Sequence, residues 1–181
     1  VGDQLMAVKN NYFWLEPESA PGFIANGDVV KILSIHSRKE LYGFSFAEVT
    51  VQLVDYPDEN PFDTVLILDT LQAETASLSF EEGNRLYQAV LEDYVAERSK
   101  YKKFLKVKNN PLFNALQVKY SYAVTCHKSQ GGQWEHVFVE KPYLAEGPNK
   151  DYLRWLYTAI TRATKHLYLL GFSNDDFTTI E

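Results

Sequence analysis

The chain has 181 residues, is 45% hydrophobic and 23% charged, and carries a net charge of −6 from 18 basic and 24 acidic residues. That length suits one average domain, or one domain with a small insertion, and the composition is that of a globular chain rather than a disordered or collagen-like one. The acidic balance excludes bulk electrostatic binding of nucleic acid, so any grip on a phosphate backbone has to run through a local patch.

The chain opens on Val1-Gly2-Asp3 without a methionine, which reads as a cut from something longer. Residues 5–8 are apolar and predict a short strand, closed by the turn-prone Lys9-Asn10-Asn11. Pro17, Pro21 and Gly22 mark a loop. Asn26-Gly27-Asp28 signals a tight turn, because asparagine and glycine tolerate positive φ. The β-branched stretch 29–35 predicts a strand. From residue 44 to 54, Phe44, Phe46, (Ala47), Val49, Val51 and Leu53 alternate with Ser45, Glu48, Thr50 and Gln52, as in a strand with one buried face. Residues 62–68 predict another strand after the turn cluster 55–61. Short strands joined by turns predict a small antiparallel barrel over residues 1–78.

The character changes at Ser79. Ser79-Phe80-Glu81-Glu82 fits a capping box. Tyr87, Val90, Leu91, Tyr94 and Tyr101 follow at helical spacing, predicting a helix over residues 79–106 that ends before Asn109-Asn110-Pro111. Lys100, Lys102, Lys103, Lys106 and Lys108 form its basic cluster, either a solvated face or a local phosphate patch. Strands near 115–119, 136–140 and 166–171, with a helix from about Asp151, predict an open α/β sheet over residues 79–181. The single cysteine, Cys126, excludes an internal disulfide and fits a cytoplasmic location. No stretch approaches a membrane span and no signal-peptide pattern opens the chain, so no membrane partner is expected.

The chemistry concentrates in two stretches. Thr125 to Gln133 gathers hydroxyls, His127, Lys128 and the pair Gly131-Gly132 between apolar flanks. Hydroxyls, a lysine and glycine-flanked N–H groups suit the holding of phosphates. His127 is either a ligand-facing donor or a structural hydrogen-bonder, and Cys126 reads as a small buried hydrophobe. On a helix over 152–164, Leu153, Leu156, Tyr157, Ile160 and Ala163 share one face, and Arg162 falls opposite with Thr158 one turn back. An arginine there presents a fork to a phosphate or carboxylate, or else makes a surface ion pair of little worth. No histidine, cysteine or acidic cluster has metal-ligand spacing.

Tyr122-Ala-Val-Thr-Cys-His-Lys-Ser-Gln-Gly131 resembles motif V of superfamily 1 helicases of the RecD-like branch, the kind of the exodeoxyribonuclease V alpha subunit. Leu156-Tyr-Thr-Ala-Ile-Thr-Arg-Ala163, with the Leu167-Tyr-Leu-Leu-Gly171 strand, resembles motif VI. The N-terminal turns and valine-rich strand are similar to the small SH3-like barrel of that branch. The resemblance implies an α/β fold: an incomplete RecA-like, P-loop NTPase-type second motor domain with a small SH3-like antiparallel β-barrel. It implies the C-terminal part of an ATP-dependent DNA helicase that works in DNA repair and recombination. Arg162 would act as the catalytic arginine finger on ATP. Gln130, Gly131 and Gln133 would contact the nucleotide, although relatives often have glutamate at the last of these. Thr125, and less directly His127 and Lys128, would contact the DNA backbone.

The implied partners are single-stranded DNA and the N-terminal RecA-like domain of the same parent chain; other recombination or repair subunits stay open. The sequence contains no Gly-x-x-x-x-Gly-Lys-Ser/Thr. Val65-Leu-Ile-Leu-Asp69 imitates a magnesium-holding strand but has no phosphate loop before it, and reads as a strand ending in a turn residue. ATP and Mg2+ are therefore expected in the full-length parent, and this piece alone is expected to bind neither and to be inactive. The alternative is a non-catalytic module that binds nucleic acid or protein and retains a helicase fold. Tyr42, Phe44 and Phe46 are the barrel rings singled out for base stacking, with burial as the competing reading of the two phenylalanines.

Overall fold

The computed structural model describes residues 1–145 and 147–177; the last four residues of the expected 79–181 domain lie outside it. The chain divides into two compact units, one spanning Val1–Tyr122 and one beginning at Ala123.

The first unit is a closed five-stranded barrel. Strand β1 (Gln4–Ala7) pairs antiparallel with β2 (Val29–Leu41), which pairs with β3 (Phe44–Leu53), which pairs with β4 (Phe62–Ile67). The β2–β3 hairpin turns at Tyr42-Gly43, both at positive φ, the geometry a two-residue loop needs to match strand twist. The barrel closes through β5 (Leu116–Tyr120), which runs antiparallel to β1 and parallel to β4. The barrel is thus not wholly antiparallel. A parallel neighbour requires a long crossover. Here α1 (Asp69–Gln72), α2 (Phe80–Glu92) and α3 (Lys100–Lys108) supply it.

That crossover explains why the unit ends at Tyr122 and not at residue 78. The helices and β5 belong to the barrel instead of opening an α/β sheet. The expected helix over 79–106 is also two helices. Ser99 caps α3, its Oγ accepting from the Lys102 N–H at 3.4 Å, and the Ser99 N–H donates to Glu97 Oε1 at 3.2 Å.

Strand β3 changes its burial partner along its length. Ala47, Val49, Val51 and Leu53 fill the barrel with Leu5, Val30, Ile32 and Val118. Phe44 and Phe46 point the other way and join Val65, Ile67, Leu86, Val90 and Val107 beneath α2 and α3. Both faces of β3 are buried where one was expected, because helices cover the outside of the barrel at that end. Phe46 is 0% exposed, and burying such a ring contributes about 1.5–3 kcal/mol. Asp69, expected as a turn residue at the end of the strand, is instead the first residue of α1, and its carboxylate accepts the Ser45 N–H at 2.8 Å.

The second unit pairs β6 (Trp134–Glu140) parallel with β7 (Ala163–Leu170), joined by α4 (Lys150–Ile160). The Asn149 side chain caps α4, accepting from the Tyr152 N–H at 2.8 Å. The whole is a mixed α/β structure: a five-stranded barrel and a small parallel sheet.

Candidate functional site

Residues 125–132 form consecutive tight turns. The Thr125 carbonyl accepts from the Lys128 and Ser129 N–H groups at 2.9 and 3.1 Å, and the Ser129 carbonyl accepts from Gly132 N–H at 3.1 Å. The Thr125 hydroxyl also accepts from Lys128 N–H, at 3.4 Å. Ser129 is the anchor: it is buried, and its hydroxyl donates to the Cys126 carbonyl at 2.7 Å. Thr125, His127, Lys128, Gln130, Gly131 and Gln133 are all exposed. One inward serine therefore holds a turn whose polar side chains face solvent.

The two glycines have different reasons. Gly131 sits at φ +87°, where a side chain is strained, and the direction its Cβ would take is open. At Gly132 a Cβ would overlap the Trp134 indole. The room for close approach of a ligand is thus at Gly131; at Gly132 it is filled by tryptophan.

Cys126 is half-buried rather than fully buried. Its thiol donates to the Trp155 carbonyl at 3.4 Å. Burial pushes its pKa up, against a smaller opposite pull from Arg162 and the Ser129 hydrogen bond, so the thiol is not an activated nucleophile.

Arg162 lies beyond the end of α4, in the short turn before β7. The helix expected over 152–164 stops at Ile160, because Trp134 N–H takes the Arg162 carbonyl at 2.9 Å and Ala163 pairs with Trp134. The side chain folds back and is half-buried. Nε donates to Thr158 O at 3.0 Å, one Nη to Gly132 O at 3.1 Å, and the other to Thr161 Oγ1 at 3.2 Å. The structure thus brings Arg162 against the 125–133 turn through Gly132. Thr158, Thr161 and the Gly132 carbonyl are the parts that the sequence did not single out as a cradle. The i−4 spacing of Thr158 was the available signal.

A second feature went unread in the sequence. His136 and Phe138 on β6, and His166 and Tyr168 on β7, stack as near-parallel rings on one sheet face, with centroids 4.8 Å apart for the histidine pair and 4.5 Å for Phe138–Tyr168. Strand period and parallel register put them there. Among the described residues no group of histidine, cysteine and carboxylate could hold a metal ion, and no helix is long and apolar enough to cross a membrane.

Over 55 residues the chain is 46% identical to the uncharacterized protein MJ1519 of Methanocaldococcus jannaschii, a match covering 30% of this chain and 4% of that protein. The stretch that holds the turn, the arginine and both strands of the small sheet is also the stretch that matches a known family. Residues 120–170 match the family of the UvrD-like helicase C-terminal domain.

Proposed function

We propose that this chain is the C-terminal part of an ATP-dependent DNA helicase of the RecD-like kind, and that its 125–133 turn couples nucleotide to DNA. The observation that carries the reading is the hydrogen bond from Arg162 to the Gly132 carbonyl. It ties the two helicase-like stretches into one site.

The residues present fit one side of a nucleotide site. A guanidinium has five N–H donors. Three are taken by Thr158, Gly132 and Thr161, leaving two for an anion. The open direction at Gly131 admits a phosphate close to the backbone, with Gln130 and Gln133 exposed beside it. ATP, when bound, supplies the phosphoryl group whose transfer to water releases the free energy for movement. Arg162 would place positive charge at the γ-phosphate, and Gln130 and Gln133 would orient the nucleotide by neutral hydrogen bonds. Thr125, His127 and Lys128 would take the backbone of single-stranded DNA. Such contacts fix position and do not read sequence. The phosphate loop and the magnesium ligands would come from an N-terminal RecA-like domain of the full-length protein.

The alternative reading, a non-catalytic binding module, is favoured by the commitment of three arginine donors to the chain's own oxygens, as in a helix C-terminal cap. DNA contacts separate a motor from such a module only if they are coupled to turnover. In the full-length protein, Thr125→Ala combined with Lys128→Ala should weaken single-strand binding evenly across sequences. It should also raise the DNA concentration needed to stimulate ATP hydrolysis. Unchanged affinity and unchanged stimulation would remove these residues from the DNA path.

A further inference from the structure

Arg162 is half-buried and, among the described residues, has no carboxylate partner. Three neutral oxygens meet its charge instead. Two are backbone carbonyls, of Thr158 and Gly132, and the third is the Thr161 hydroxyl. No substitution deletes a carbonyl. The hydroxyl is the one anchor of the three that depends on which side chain is present.

The direction of that hydroxyl is set from behind. Helix α4 ends at Ile160, and the carbonyls of its last turn lack partners within the helix. The Thr161 hydroxyl donates to Tyr157 O at 2.8 Å, with Thr158 O at 3.2 Å as a second acceptor. The Thr161 N–H also donates to Tyr157 O, at 3.2 Å. A hydroxyl has one proton and two lone pairs. With the proton turned into the helix end, a lone pair is left for the Arg162 Nη at 3.2 Å. The carbonyl end of α4, where the helix dipole is negative, favours the guanidinium further.

The three anchors fall on three different nitrogens of Arg162. Together they fix the guanidinium plane. One N–H is left on each Nη, the number that a bidentate contact to two oxygens of one anion uses. Without the Thr161 contact one Nη is loose, and the plane is held by two anchors. We infer that Thr161 is a positioning residue: its hydroxyl, set by the end of α4, holds the Arg162 guanidinium in the plane in which the remaining N–H groups meet a nucleotide phosphate. This rests on the nucleotide reading of Arg162, through which Thr161 acts. A fork held ready for charge that develops during the reaction raises turnover more than it raises affinity.

The test begins in the full-length protein with Thr161→Val, which removes the hydroxyl and keeps the branched shape. It should lower kcat of DNA-stimulated ATP hydrolysis about 10-fold, the factor that a hydrogen bond to a charged group is worth. KM for ATP should stay within about twofold. Thr161→Ser should restore kcat. Added to Arg162→Ala, Thr161→Val should cost nothing more, because its effect passes through the arginine. The 181-residue chain gives a readout without ATP. Rotation about the Arg162 Cζ–Nε bond exchanges the two Nη groups and is measured by NMR of the isotope-labelled chain. It should be about 10-fold faster in Thr161→Val than in the wild type or Thr161→Ser. Thermal melting checks the fold. If the valine variant melts early, Thr161→Ala removes the same hydroxyl and should show the same two effects. Wild-type kcat or wild-type rotation in both hydroxyl-free variants would overturn the proposal, as would a rise in kcat or a further loss on top of Arg162→Ala. The two readings fail differently. Full turnover in Arg162→Ala removes the nucleotide reading and this one with it, whereas loss there beside wild-type behaviour in Thr161→Val removes the positioning role alone.

Discussion

Arg162 and Tyr42 each have a side chain whose behaviour is set by what it touches. The sequence placed Arg162 on a polar helix face, pointing outward. The missing fact was where α4 stops, and helix ends are set by pairing with distant chain, here Trp134. The polar character of the 125–133 run between apolar flanks was legible, and the exposure of Thr125, His127, Lys128, Gln130 and Gln133 is what the structure adds. The different duties of Gly131 and Gly132 were not legible, since the second depends on Trp134 folding back. Gly132→Ala should therefore rearrange the turn and displace the Trp134 indole, visible as a shift in tryptophan emission, whereas Lys128→Ala should leave that emission unchanged. Tyr42 gives a pH prediction. Burial first, and then its hydrogen bond to Asp93, push its pKa from 10.0 to about 12. The fold prefers the neutral phenol, so this contribution is fully present below pH 10.0 and is lost as the pH rises through about 12. Alkaline absorbance titration of the wild type minus Tyr42→Phe should isolate one late-ionising tyrosine near 12. A difference curve centred at 10.0 would contradict it.

The elements that could be read were those whose signal is local. The capping box at Ser79 formed as its four residues indicated, with Ser79 Oγ accepting from Glu82 N–H at 3.2 Å. The hydrogen bonds to Ser79 hold the Glu82 carboxyl below the usual carboxylate range. Ser79→Ala should cost the barrel unit about 1 kcal/mol in denaturant unfolding, the usual value of an N-cap. Strands β3 and β4 also fell where alternating and β-branched residues put them, whereas β2 starts at Val29 as expected but runs on to Leu41, well past the 29–35 stretch. Non-local facts were out of reach. Nothing in Leu116–Tyr120 says that it closes a barrel opened by Gln4–Ala7, because pairing across such a distance is a matter of topology and not of propensity. The same holds for Phe44 and Phe46, whose outward phase is buried only because α2 and α3 return over it.

At the scale of the molecule, the two units are unequal in core. The first has two clusters of buried residues. In the second, among the described residues, only Ser129, Val139 and Ala159 are buried, and Phe138, Leu153 and Tyr157 lie exposed. A two-stranded sheet is marginal by itself, and parallel strands are ordinarily covered on both faces. Native-state hydrogen exchange should therefore show strong protection in β2 and β3 and weak protection in β6 and β7, with the second unit opening well below the stability of the first. Uniform protection across both would contradict that division. The claim on which the functional account depends is that Arg162 serves a nucleotide and does more than cap a helix. The direct measurement is DNA-stimulated ATP hydrolysis by the full-length protein carrying Arg162→Ala, with melting and single-strand binding followed alongside. The account predicts a fall of about 10³-fold in turnover with DNA binding retained. Turnover near that of the wild type, or a loss that merely tracks unfolding, would contradict it.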